Sequence, residues 1–79
     1  MKGEEEKEKL SLLLVYWIEH NKEHAQDFKR WAEKARGFNK IEAHGWIMEA
    51  VKHVEEANEC LFKAFEDINN KDKKDKNKK

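Results

Sequence analysis

Proline is missing from this chain, cysteine occurs once and glycine three times in 79 residues. With no proline, nothing forbids long uninterrupted helices. A single thiol, Cys60, rules out a disulfide framework and fits a reducing compartment. No apolar run approaches the ~20 residues of a membrane span. The longest, Leu10 to Ile18, contains Ser11 and is followed at once by charge. Met1 to Lys9 is rich in glutamate and lacks the basic start and small-residue cleavage site of a secretory signal. A cytoplasmic protein without membrane attachment is therefore expected. There is also no Ser-His-Asp or Cys-His arrangement, glycine-rich phosphate loop or C-x-x-C pair, so no enzyme is expected.

Charge dominates what is present. Asp, Glu, Lys and Arg make up 43% of the chain, the composition of long solvated helices. The formal net charge is zero but unevenly spread. Residues 1–68 carry 11 basic and 15 acidic side chains, whereas residues 69–79 carry six lysines and two aspartates. The tail has nothing apolar to bury and is expected to be disordered. Nucleic-acid binding is not expected, since no basic stripe or aromatic platform lies on a helical segment and a tail alone would bind weakly.

Three segments follow: a charged lead-in at 1–9, a helical hairpin at 10–68 with its turn near 37–39, and the tail at 69–79. In the first helix Leu10, Leu14, Trp17, Asn21, His24, Phe28, Trp31 and Ala35 recur in steps of four and three, one face of a helix. Lys34 and Arg36 before Gly37 mark its end. Asn39 with Glu42 has the spacing of a capping box for the next helix. The second face takes His44, Ile47, Val51, Val54, Asn58, Leu61, Phe65 and Ile68. The pattern leaves open a break near Asn21 or a kink at Gly45.

A connection this short makes the helices antiparallel. The two faces then pair Trp31 with His44, Phe28 with Ile47, His24 with Val51, Asn21 with Val54, Trp17 with Asn58, Leu14 with Leu61 and Leu10 with Phe65. The fold class is all-α, an antiparallel two-helix hairpin. Leu10 to Ile18 also covers the whole circumference of the first helix, and a helix apolar all round is surrounded by protein. The expectation is a homodimer forming a four-helix bundle, or docking onto another protein.

Two groups of residues stand out. Trp17, Glu19, Asn21, His24 and Asn58 form a predicted buried polar group, in which the asparagines set register at some cost in stability. His20 and His24, four apart on one face, have the usual spacing for two imidazoles on one metal. With His53 and Glu55 nearby in the pairing above, they make a candidate zinc, nickel, cobalt or iron site. The plainer alternative has His24 as a core histidine and His20 in water. Glu23 completes the string H-x-x-E-H of inverted zinc proteases, but 79 helical residues supply neither the cleft nor the third ligand. Trp46 and Phe38 are expected to cap the closed end, and Cys60 to be partly buried.

Trp17 to Ala25 (WIEHNKEHA) and Phe28 to Ala35 (FKRWAEKA), with VEEANE at 54–59 behind them, resemble a small prokaryotic helical domain of unknown function. The resemblance spans about residues 10–68. It implies no established activity, although such domains occur alone or attached to other modules, sometimes near metal or corrinoid genes. It implies that Glu19, His20, Asn21, His24 and Asn58 work together. The function expected is a non-enzymatic assembly or protein-interaction module; the alternative is a small metal-binding protein using His20 and His24.

Overall fold

Strong helix formers without proline give two helices and nothing else among the described residues, 2–69 of a computed structural model. Helix α1 runs over Lys2–Gly37 and α2 over Ile41–Ile68, antiparallel along their shared length. The helix begins well before Leu10, so the charged segment over 2–9 is itself helical, with Glu4 and Glu5 complementing the dipole of its first turn. Neither helix is broken, at Asn21 or at Gly45. The predicted disorder of the tail concerns residues that lie, after Asn69, outside those described.

The reversal is built on Asn39 rather than on Gly37. Asn39 has φ 73°, the left-handed conformation that asparagine tolerates best after glycine. The Lys40 N–H donates to the Ala35 carbonyl at 2.8 Å and the Asn39 N–H to Arg36 at 3.0 Å. These two bonds form a Schellman motif, which satisfies carbonyls that α1 would otherwise leave open. Asn39 is thus spent on ending α1, and the expected capping box does not form. Lys40 occupies the N-cap of α2 without a side-chain bond.

Where α1 meets α2 the contact face differs from the expected one. The α2 face is the one read above, with Val51 buried and His44, Ile47, Val54, Asn58, Leu61, Phe65 and Ile68 half-buried. On α1 the inward residues are Ser11, Leu14, Ile18, Asn21, Ala25, Phe28, Ala32 and Ala35. Leu10, Trp17, His24 and Trp31 are exposed instead, Trp31 at 54%. The physical reason is size. Ala25, Ala32 and Ala35 let the two backbones approach closely, and all three are buried. Indole rings at those places would hold the helices apart.

Polar bonds clasp the seam at three levels. Asn69 exchanges hydrogen bonds with Ser11 at the open end, donating to its hydroxyl at 3.0 Å. In the middle Asn21 Nδ2 donates to Asn58 Oδ1, and Asn58 Nδ2 to the Ile18 carbonyl, each at 3.0 Å. Near the turn His44 Nδ1 bonds the Ala32 carbonyl, also at 3.0 Å. Beyond these, the core is slight: Leu14, Ala25, Ala32, Ala35 and Val51. Only two of those five carry a large side chain, each contributing about 1.5–3 kcal/mol by burial.

Candidate functional site

The seam divides the hairpin into two sides of different character. Residues one place after the seam residues of α1 turn to one side, and Lys22, Gln26 and Lys29 are among them. They meet Glu55, one place after Val54, and Lys29 Nζ lies 3.4 Å from its carboxylate. Glu59 and Phe62 of α2 border the same side, beside Ile18 and Lys22. That side is largely charged.

Residues one place before the seam residues turn to the opposite side. On α1 these are Leu10, Leu13, Trp17, His20, His24, Asp27, Trp31 and Lys34. On α2 they are Ala43, Trp46, Ala50, His53, Ala57, Cys60 and Ala64, with an alanine at every seventh position. Seven residues are close to two helical turns, so the alanines form one row. A row of large side chains on α1 thus lies beside a row of small ones on α2. Trp46 is 73% exposed on this face and Phe38 65% exposed at the turn, so neither packs as a cap. Cys60 is exposed as well, not partly buried.

The two rows run side by side along the hairpin. Contacts of Ile18 with Asn58 and of Ala32 with His44 set Lys22 of α1 opposite Val54 of α2, whereas those of Asn21 with Asn58 and of Ser11 with Asn69 set it opposite Ala57 to Asn58. Leu13 and Trp31 stand equally far on either side of Lys22, and so do His20 and His24. Ala50 and Ala57, and beyond them Ala43 and Ala64, flank His53 and Val54 of α2.

Within the large row the two imidazoles of α1 converge. His20 Nε2 and His24 Nε2 are 3.1 Å apart, with ring planes at 88°. Tyr16 stacks on His20 with centroids 5.4 Å apart, and Phe28 lies 6.0 Å from His24. The four rings make a ladder along one i, i+4 row, which holds both imidazoles in place. Tetrahedral zinc with nitrogen ligands at ~2.0–2.1 Å spaces two of them about 3.3 Å apart. The observed pair is within a few tenths of an ångström of that.

The other predicted ligands do not join it. His53 faces Glu49 and Glu56 of its own helix, at 4.0 and 3.6 Å. Glu55 is on the charged side with Lys29. Among the described residues no three His, Cys, Asp or Glu side chains gather where they could hold a metal ion. The predicted buried polar group also comes apart. Asn21 and Asn58 bond each other directly, while Trp17 and His24 are exposed and Glu19 pairs with Lys22 at 3.4 Å in solvent. The sequence signal that was missed is a second repeat on α1, Ser11-Ile18-Ala25-Ala32, in the same steps of seven.

Residues 10–68 match the domain of unknown function DUF8180. The chain belongs to that family. No curated protein and no solved structure matches it. The DUF8180 match covers both rows, the histidine pair and the asparagine clasp, and stops at the last residue of α2. Among the described residues no helix is long and apolar enough to cross a membrane.

Proposed function

We propose that this DUF8180 chain is a non-enzymatic helical assembly module that pairs with a second copy of itself into a four-helix bundle. The observation that carries the reading is the exposed apolar face, on which the large row of α1 lies beside the small row of α2. A two-fold axis perpendicular to the helices at the level of Lys22 and Val54 sets Leu13 of each copy against Trp31 of the other. The same axis sets Ala50 against Ala57 and Ala43 against Ala64. A face that is complementary to itself is what a two-fold interface requires.

Two further observations support the pairing. The Cα atoms span 11 Å in the thinnest direction, one layer of helices, whereas domains are built from two packed layers. Leu10, Leu13, Trp17, Trp31 and Trp46 are 38–73% exposed on one face. Burial brings at most about 1.5–3 kcal/mol for each such side chain, and ten of them meet in a dimer. Because each is already part-buried in the single chain, about half of that remains to be gained, comparable to an association cost of about 4–15 kcal/mol. The exposed thiol of Cys60 suits a reducing, cytoplasmic setting.

Sedimentation at micromolar concentration tests the pairing. The full chain is expected at twice its 9.5 kDa mass. Leu13→Glu with Trp31→Glu is expected to give a monomer, and Lys22→Ala with Lys29→Ala on the charged side to leave the dimer intact. A monomeric full chain would overturn the reading.

A second reading, transition-metal binding, is favoured by one distance: the 3.1 Å between the Nε2 atoms of His20 and His24.

A further inference from the structure

We propose that His20 and His24 are half of a divalent transition-metal site that a second copy of the chain completes, giving four imidazole ligands on the two-fold axis. The site rests on the pairing proposed above and adds to it a ligand, a stoichiometry and a reason for two polar rings in an apolar row.

The inference begins from what the single chain lacks. The two nitrogens hydrogen-bond each other at 3.1 Å, a separation close to that of two corners of a metal tetrahedron, and no third ligand gathers with them among the described residues. Their own helix cannot supply one. Tyr16 and Phe28 occupy the next positions along the i, i+4 row, and both carry their rings against the histidines. The missing ligands have to come from outside the chain. His20 and His24 lie two residues either side of Lys22, as Leu13 and Trp31 lie nine residues either side of it, while Trp17 is mirrored by Asp27 and Leu10 by Lys34. An axis at Lys22 brings each pair beside its copy and needs no other residue. Four neutral imidazoles suit zinc, cobalt(II) or nickel(II), whereas magnesium and calcium prefer oxygen.

The arrangement also accounts for the composition of the row. Positions 10, 13, 17 and 31 on this face are leucine or tryptophan, 27 and 34 are charged, and the imidazoles fall in the middle. Within each chain the two Nε2 atoms share one hydrogen bond, and a dimer brings four such nitrogens together. A bound metal ion satisfies all four.

The test uses the untagged full chain. Equilibrium dialysis against zinc, followed by metal analysis, is run beside sedimentation with zinc and with a chelator. The expected result is one zinc per two chains. His20→Ala or His24→Ala should each weaken zinc binding at least 100-fold, and His53→Ala should leave it unchanged. Cobalt(II) in place of zinc should show the visible absorption of a tetrahedral site. Both imidazoles are exposed and off the seam, so the variants should keep their helical circular dichroism. A dimer that takes up no zinc, cobalt or nickel would overturn the shared site and leave the pairing standing. A chain that is monomeric with and without zinc would overturn both. One metal per chain, or uptake that survives His24→Ala, would overturn the site as described.

Discussion

Two rows of α1 lie one residue apart and have opposite fates. Ser11, Ile18, Ala25 and Ala32 face α2, whereas Leu10, Trp17, His24 and Trp31 face outward on the apolar side. Both recur in steps of seven and both flank the shared row Leu14, Asn21, Phe28, Ala35. The more hydrophobic row is the one left open. Hydrophobicity therefore does not rank faces by how close they come to the nearest helix. Small residues allow close approach between two helices of one chain, while large ones gain most where a broad, separate surface covers them.

The largest expected effect comes from disturbing the inner row. Leu14→Ala should cost about 2–5 kcal/mol by opening a cavity. Ala32→Leu should cost about 1–3 kcal/mol by overpacking, since Ala32 is fully buried. Urea unfolding at one fixed chain concentration reads both, because a dimer's stability depends on concentration. If Ala32→Leu proved neutral, the inner row would not be setting the helix spacing.

A smaller effect is expected at the row the two faces share. Asn58→Ala removes the partner of Asn21 and the donor to the Ile18 carbonyl, and should cost about 1–3 kcal/mol. Asn21→Leu combined with Asn58→Leu removes both members and should recover much of that loss, at the risk of register slippage. A double-mutant cycle with coupling near zero would show that the amides do not act as a pair.

The smallest effect concerns the turn, away from both rows. Asn39→Val places a β-branched residue at φ 73° and should cost about 1–2 kcal/mol. Asn39→Gly should stay within about 0.5 kcal/mol of the parent. Thermal unfolding of the two variants, with equal stability as the contrary outcome, decides whether Asn39 ends α1 as described.

Much of the fold was legible residue by residue, and the errors have one origin. The inward face of α2 could be read because only one apolar row runs its length: the positions beside it are mostly alanine or charged, with Trp46, Met48 and Phe62 among them. On α1 two rows had equal periodicity, and choosing the larger one exchanged Trp17, His24 and Trp31 for Ile18, Ala25 and Ala32. That single rotation moved Asn58 away from Trp17 and into contact with Asn21. It also took Trp17, Glu19 and His24 out of the expected buried group. The closeness of His20 and His24 was legible, since four residues on a helix always bring side chains together. The exclusion of Glu55 and His53 was not, because it follows from which side of the seam each one takes.

The amino-acid sequence by itself determined two long helices, their reversal just before residue 40, and the inner face of α2. Proline-free periodicity and local turn chemistry are enough for that. Only the tertiary structure decided which face of α1 turns inward, because a helical repeat shows which residues share a face but not how near another backbone can come. Close approach depends on side-chain volume on both helices at once, and Ala25 and Ala32 settled it.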